Sequence, residues 1–251
     1  MGWDAFTAGV AKRRRKLSAM AGAVLALTLL TTGLAPRSES QAAQGQKWLL
    51  GVPWAGIIHT NSGTCSVTVV SEFLAITAKH CGTVNPVLKL DISAASTPGH
   101  TYDVKEIVPN RDLDVEAIYL RDRTGLSVTP LGDTVARDWF YAWGYGSDWS
   151  GNVDYHLTRA DFNLPQTCLL NPQENGDLCW QTDAKNSVCA GDSGGPITQN
   201  NAIVGMLTTV LSTTSSEQPL DCSTIVSSQA LTVKQMQPWL NQMIADANPF
   251  P

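Results

Sequence analysis

The feature that most constrains the fold is a succession of short apolar segments, separated by turn residues, that begins at Trp48. Many of these segments contain β-branched or aromatic residues, which favour strands. Only the stretch from Lys234 to Ala245 carries apolar residues at three- and four-residue steps, which is typical of an amphipathic helix. Pro238 within it suits the first turn of a helix. The pattern predicts an all-β domain, either two barrels or a sandwich, with one C-terminal helix.

The N-terminal segment has the order of a secretory signal. Basic residues at 12–16 precede an apolar run at about 17–34, and a polar stretch at 37–46 follows, with small residues at 40, 42 and 43. A transmembrane anchor is the alternative, but threonines and a glycine interrupt the run, which is short for a span. We therefore expect residues 1–43 to be removed as a signal peptide and short leader. The domain would then occupy 44–251, secreted and without membrane contact.

The cysteine pattern agrees with export. All six cysteines follow the apolar run, and an even number in an exported chain predicts disulfides rather than free thiols. Zinc binding is the alternative, but there is no C-x-x-C pair and the histidines lie far from the cysteines. We therefore expect no metal site. The net charge of -5 argues against nucleic acid as a partner.

The strongest chemical motif is the string Gly-Asp-Ser-Gly-Gly-Pro at 191–196. A serine hydroxyl becomes an effective nucleophile when a base takes its proton and backbone N–H groups face the developing oxyanion. Glycines allow the tight turn that this arrangement needs, so Ser193 is the predicted nucleophile. The string also fits the nucleophile elbow of α/β-hydrolases, which place their histidine after the serine. All four histidines precede Ser193 here, so that alternative lacks a base.

The sequence also offers a base and an acid to serve this nucleophile. His80 follows the apolar segment 73–77 and precedes Cys81, a position where a strand end and a disulfide would hold an imidazole rigidly. Asp114 opens another apolar segment, where a carboxylate can be partly desolvated and can orient the imidazole. Asp112, two residues earlier, is the alternative acid. We predict His80 and Asp114 as the partners of the serine.

Three blocks now stand in the order His, Asp, Ser: T-A-K-H-C at 77–81, D-V-E-A-I-Y-L at 114–120 and G-D-S-G-G-P at 191–196. With these blocks the chain resembles the chymotrypsin family of serine proteases over most of its length. The resemblance implies two six-stranded antiparallel β-barrels, at roughly 48–130 and 131–235, followed by the C-terminal helix. The active site would lie in the cleft between the barrels.

The resemblance also implies a role for each residue. His80 would act as general base and then general acid, Asp114 would orient it, and Ser193 would form an acyl-enzyme. The backbone N–H groups of Gly191 and Ser193 would form the oxyanion hole. The family needs no cofactor, acts on polypeptide substrates and meets protein inhibitors as further partners. We expect a monomer.

Two disulfides and a specificity pocket follow from the same resemblance. It implies the pairs Cys65–Cys81 and Cys189–Cys222, which leaves Cys168 and Cys179 as the third pair. The base of the pocket falls on Ser187, and the strand that lines it on 208–210, with Thr208 and Val210 facing the substrate. An uncharged base and a valine predict a preference for small or medium uncharged residues before the scissile bond.

The chain departs from the family pattern in its activation segment. The family often frees an Ile-Val-Gly-Gly N-terminus whose amine pairs with the acid before the serine, here Asp192. No such string occurs, the nearest being residues 48–52. We therefore expect Asp192 to pair with an internal arginine, Arg137 and Arg159 being the candidates. The enzyme would then be active once the signal is removed.

A second departure is Lys79, which stands where the family has a small residue and could perturb His80. The alternative function is a catalytically inactive binding protein on the protease fold.

Overall fold

The structure is a computed structural model in which most of the regular structure is β-strand. All the described residues fall within one compact unit, Arg37–Pro251. The predicted signal segment 1–43 lies outside them, so its boundary remains a prediction. The structure describes residues 46–47, 52–60, 63–82, 89–92, 100–134, 139–146, 157–163, 178–182, 188–212, 222 and 225–248.

Among the described residues, short antiparallel strands and one α-helix follow each other along the chain. They are β1 (Gln46–Lys47), β2 (Ala55–Thr60), β3 (Gly63–Ser71), β4 (Leu74–Thr77), β5 (Lys89–Ile92), β6 (His100–Pro109), β7 (Glu116–Leu120), β8 (Trp139–Gly144), β9 (Thr158–Asn163), β10 (Leu178–Gln181), β11 (Pro196–Gln199), β12 (Ala202–Ser212), β13 (Ile225–Thr232) and α1 (Val233–Ala247).

The first sheet closes on itself as a six-stranded barrel in the order β2-β3-β4-β7-β6-β5. The pairing of β5 with β2 completes the ring. Val67, Leu74, Ile76 and Ile118 are almost completely buried in its core. This barrel matches the first of the two that the sequence predicts.

The second sheet has seven strands within the described ranges, in the order β1-β9-β8-β11-β12-β13-β10, and each of these pairs is antiparallel. Its core contains a stack of Phe140, Phe162 and Trp180, in which the rings of Phe162 and Trp180 are 4.0 Å apart. The seventh strand is β1, a two-residue segment that precedes the first barrel in the chain and pairs with β9. The predicted all-β class, with two antiparallel sheets and a C-terminal helix, is confirmed.

The C-terminal helix begins with a capping box. The Thr232 hydroxyl accepts from the N–H of Gln235, and the Gln235 side chain accepts from the N–H of Thr232. Met236 and Leu240 are buried against the core of the first barrel. The expected position of Pro238 in the first turn was wrong, because this residue lies in the second turn with its ring exposed. Proline has no backbone N–H, so the helix loses one hydrogen-bond donor there. The apolar face of the helix, buried against the core, holds the helix in place despite this loss.

Two of the predicted disulfides are confirmed. Cys65 of β3 is bonded to Cys81, and Cys189 is bonded to Cys222. Cys179 also takes part in a disulfide, whereas its predicted partner Cys168 lies outside the described residues. In the part of the chain that is described, no helix is long and apolar enough to cross a membrane.

Candidate active site

Glycines shape the loop that carries Ser193. Gly191 and Gly194 have φ angles of 95° and 86°, which are strained for residues with a side chain. A Cβ atom on Gly194 would also lie 2.2 Å from the carbonyl oxygen of Ser66. Residues 189–195, called the nucleophile loop below, therefore need the glycines found in the sequence motif. They turn the chain tightly just before β11 and leave Ser193 partly exposed.

His80 lies at the end of β4, as predicted. A short 3-10 helix, Lys79–Cys81, follows this strand, and the disulfide between Cys65 and Cys81 fastens it to β3. Gly82 ends the helix with a φ of 74°. The disulfide and the short helix thus hold the imidazole in a fixed position at the edge of the first barrel. The His80 side chain is 47% exposed to solvent.

Asp114 lies in the turn between β6 and β7. The Asn110 side chain holds this turn, because its Oδ1 accepts from the backbone N–H groups of Asp112 and Leu113, each at 2.9 Å. The N–H of Asn110 also donates to the carbonyl oxygen of Val115 at 2.8 Å. The turn points Asp114 at His80 and leaves Asp112 exposed.

The three predicted side chains form one hydrogen-bonded line. Asp114 Oδ2 lies 2.7 Å from His80 Nδ1, and His80 Nε2 lies 3.0 Å from Ser193 Oγ. Asp114 Oδ1 accepts from the backbone N–H of His80 at 2.9 Å, so both carboxylate oxygens face the same residue. Residues from three distant parts of the sequence thus meet within hydrogen-bonding reach.

The surroundings of Asp114 determine the charge of its carboxylate and the ring nitrogen of His80 that carries the proton. Burial would raise the pKa of Asp114, but the hydrogen bonds and charge of His80, with the positive charge of Lys79, outweigh burial and hold that pKa below its ordinary value. An ionised carboxylate at Nδ1 requires the ring proton on that nitrogen. His80 Nε2 is then free to accept the proton of the Ser193 hydroxyl.

Lys79 does not point into this line. Its ammonium donates to the carbonyl oxygen of Asn110 at 3.0 Å. The lysine therefore links the segment that carries His80 to the turn that carries Asp114.

Two backbone N–H groups beside Ser193 are available to a ligand. Within the described ranges, neither the N–H of Gly191 nor that of Ser193 donates a hydrogen bond. Both are the groups that the sequence resemblance assigns to an oxyanion hole. The neighbouring peptide is fixed, since the carbonyl oxygen of Asp192 accepts from the N–H of Gly195 at 2.9 Å.

These groups open onto a cleft of about 670 Å³ between the first barrel and the second sheet. Thr208 and Val210 of β12 line this cleft, and their assignment to a specificity pocket stays a prediction. The Thr208 side chain is buried and its hydroxyl donates to the carbonyl oxygen of Gln229. Val210 packs against Ile225 and the disulfide of Cys189. Ser187, the predicted base of the pocket, lies outside the described residues.

Asp192 has partners that the sequence did not indicate. It is 2% exposed, and its two oxygens accept from the N–H groups of Gly146 and Cys189, each at 2.7 Å. The proposed pairing with Arg159 was wrong, because that arginine bonds Asp161. The other candidate, Arg137, lies outside the described residues. Burial raises the pKa of Asp192 to about 6, although the two hydrogen bonds oppose the rise.

Sequence reasoning also missed two residues that hold the nucleophile loop. Ser66 Oγ donates to the carbonyl oxygen of Gly191, and Thr68 Oγ1 donates to that of Gly194, both at 2.8 Å. Both hydroxyls come from β3 in the first barrel. In the sequence, these two polar residues alternate with valines, and both are buried in the strand. Such a pattern indicates that their hydroxyls have hydrogen-bond partners, but it does not reveal which groups these partners are.

A closed barrel, a second antiparallel sheet and a C-terminal helix define a chymotrypsin-like fold. Sequence comparison agrees: the trypsin family model matches residues 39–231. The chain is 26% identical to human kallikrein-7 over 73% of its own length and 85% of the relative's. It is 24% identical to trypsin theta of Drosophila melanogaster, over 67% and 76% of the two chains. An uncharacterized peptidase of Corynebacterium glutamicum is also 24% identical, over 60% and 55%. The chain belongs to the trypsin family of serine proteases.

Proposed function

We propose that the protein is a secreted serine endopeptidase in which Ser193, His80 and Asp114 act as a catalytic triad. The observation that carries the proposal is the hydrogen-bonded line through these residues, with contacts of 3.0 Å and 2.7 Å. Membership of the trypsin family supports peptide-bond hydrolysis as the reaction. The signal pattern at 1–43 and the disulfides support secretion, because disulfides persist in oxidising compartments.

Acylation begins when His80 Nε2 takes the hydroxyl proton of Ser193. Ser193 Oγ attacks the carbonyl carbon of the scissile bond, and a tetrahedral intermediate forms. The ionised Asp114 stabilises the imidazolium that results. His80 then gives its proton to the amide nitrogen, the C–N bond breaks, and the acyl group remains on Ser193.

Deacylation repeats the sequence with water. His80 takes a proton from a water molecule, whose oxygen attacks the acyl carbon. His80 returns the proton to Ser193 Oγ as the ester bond breaks, which releases the new carboxyl end of the substrate. Asp114 orients the ring in both stages, and it holds the neutral imidazole in the tautomer with its proton on Nδ1.

The N–H groups of Gly191 and Ser193 stabilise the negative oxygen of both tetrahedral intermediates. They donate no hydrogen bond among the described residues, so no bond within that part of the structure has to break before they bind a substrate oxygen. Donors that are already oriented cost no reorganisation during the reaction, and one such donor is worth about 10²- to 10³-fold in rate.

Val210 and Thr208 support a preference for small or medium uncharged residues before the scissile bond. Val210 faces the cleft and is packed against a disulfide, which restricts its movement. The Thr208 hydroxyl is already bonded to Gln229 and is not directed at a substrate. Neither residue brings a charge that would attract lysine or arginine.

A panel of peptides that differ only in the residue before the scissile bond tests the proposal. We expect turnover of peptides with small or medium uncharged residues at this position. Asp114→Asn should lower kcat by about 10⁴-fold, because the imidazole loses its required tautomer. Asp112→Asn is the matched control, since it neutralises an exposed acid two residues away and should change kcat by less than about two-fold.

Three outcomes would contradict parts of this account. A strong preference for arginine or lysine would overturn the pocket assignment alone. Equal losses in the two aspartate variants would overturn the role of Asp114. No turnover of any peptide by the folded, secreted protein would favour the binding-protein alternative.

A further inference from the structure

The strand β3 of the first barrel donates hydrogen bonds to three backbone carbonyl oxygens of the nucleophile loop. Ser66 Oγ donates to Gly191 O at 2.8 Å, and the N–H of Ser66 donates to Ser193 O at 2.9 Å. Thr68 Oγ1 donates to Gly194 O at 2.8 Å. Ser66 and Thr68 share a face of β3 because side chains alternate along a strand. The polar face of β3, in the first barrel, therefore positions the nucleophile loop, which leads into β11 of the second sheet.

The Ser66 hydroxyl joins three segments at once. Besides donating to Gly191, it accepts from the backbone N–H of Tyr145 at 2.8 Å. The next residue, Gly146, donates to Asp192 Oδ1 at 2.7 Å. Ser66 has no exposed surface, so within the described structure solvent does not compete for these bonds. The hydroxyl proton and a lone pair are both used.

This contact bears on the oxyanion hole through Gly191. Glycine can turn to many backbone conformations, and Gly191 already has a φ of 95°. The Gly191 carbonyl belongs to the planar peptide that joins Gly191 to Asp192, and the N–H of that peptide donates to the carbonyl oxygen of Cys189 at 3.1 Å. Because Ser66 holds one end of this peptide and Cys189 the other, rotation about the backbone bonds of Gly191 is restricted. The direction of its N–H, one of the two proposed oxyanion donors, is restricted with it. The peptide that carries the other donor is held separately, by the bond from Gly195 to Asp192.

We propose that Ser66 is a positioning residue for the oxyanion hole, whose buried hydroxyl fixes the orientation of Gly191. The inference rests on the proposed peptidase function. Ser66 does not touch the reacting atoms and acts only through Gly191. Losing the hydroxyl should therefore affect the transition state more than the bound substrate, because the oxyanion forms only during the reaction.

Ser66→Ala tests the inference by removing the hydroxyl and leaving the Tyr145 N–H and the Gly191 carbonyl without their partner. We expect kcat to fall by roughly 10- to 100-fold and KM to stay within about two-fold. The affinity for a peptide aldehyde, which forms a tetrahedral adduct with the serine, should fall by the same factor as kcat. Ser66→Thr restores a hydroxyl and should recover most of both losses.

Thr68→Val is the matched control. It removes a buried hydroxyl from the same strand and breaks a bond of the same length to the same loop, but at Gly194 rather than at an oxyanion donor. It should lower stability much as Ser66→Ala does, without the parallel loss of kcat and aldehyde affinity. Urea unfolding of each variant separates stability from catalysis. If Ser66→Ala does not fold, Ser66→Gly, which has more room for a water molecule, is measured instead.

The outcomes distinguish this inference from the proposed function. An inactive parent protein would overturn the peptidase function. An active parent whose Ser66→Ala or Ser66→Gly variant keeps its kcat and aldehyde affinity would overturn the role of Ser66 alone. Equal catalytic losses in the Ser66 and Thr68 variants would also overturn it, because general support of the loop would then explain both.

Discussion

At the residue scale, the site depends on which carboxylates are charged. Asp114 has a hydrogen-bonded imidazole beside it and a lowered pKa, so it is ionised where a peptidase would work. Asp192, buried behind the nucleophile, has only backbone N–H partners among the described residues, and burial raises its pKa to about 6. The pKa values of two aspartates in one site are thus shifted in opposite directions by their surroundings.

Asp192 should make the protein less stable as the pH rises from about 4 to about 6. In this window the folded protein keeps a proton on Asp192 that the unfolded chain releases. The shift from 3.8 to about 6 corresponds to roughly 3 kcal/mol lost by the upper end of the window. Urea unfolding at a series of pH values measures the effect, in a Ser193→Ala background that prevents self-digestion.

Asp192→Asn is the comparison for that measurement. An amide does not ionise, so the stability change assigned to Asp192 should disappear. The variant should be less stable at low pH, because its NH₂ group faces one of the two N–H donors. Asp114 acts in the opposite direction and at lower pH, since its stabilisation is lost as pH falls through its lowered pKa. The same slope in parent and variant would show that Asp192 is not its source.

At the element scale, the C-terminal helix links the two halves of the core. Met236 and Leu240 lie in one apolar cluster with residues of the first barrel and with Met206 and Leu231 of the second sheet. The Tyr119 hydroxyl also donates to the sulfur of Met243. Packing on both sheets gives the helix a structural role away from the cleft.

Leu240→Ala should lower the free energy of unfolding by about 3 kcal/mol, because it leaves a cavity in a fully buried position. The folded fraction should keep the parent kcat, since Leu240 does not line the cleft. Lys234→Ala, on the exposed side of the same helix, should change stability by less than about 0.5 kcal/mol. A loss at Leu240 no larger than that at Lys234 would contradict the role of packing, because alanine has the highest helix propensity and its introduction removes only side-chain contacts.

The sequence predicted the elements whose cause is local. The motif around Ser193 predicted a tight turn that needs glycines, and Gly191 and Gly194 have positive φ in the structure. The spacing of Met236 and Leu240 predicted the C-terminal helix. The partners of Asp192 were missed because backbone N–H groups have no signature in a sequence. Ser66 was missed for a related reason: it lies far from Gly191 in the chain, and only tertiary packing joins them.

At the scale of the whole molecule, the site exists only where the two sheets meet. The first barrel contributes His80 and Asp114, whereas the second sheet contributes the strands on either side of the nucleophile loop. Ser66 and Thr68 donate hydrogen bonds across this junction, from the first barrel to the nucleophile loop. Catalysis, as proposed, therefore requires both sheets to be folded and docked.

The most direct test of the triad is to locate the adduct formed by a fluorophosphonate, a reagent that phosphonylates activated serines. The secreted protein is labelled, digested and examined by mass spectrometry, with Ser193→Ala and the exposed Ser127→Ala as matched variants. We expect one adduct per molecule, on Ser193, unchanged in Ser127→Ala and absent from Ser193→Ala. Folded protein that stays unlabelled, or that carries the adduct on another serine, would contradict it.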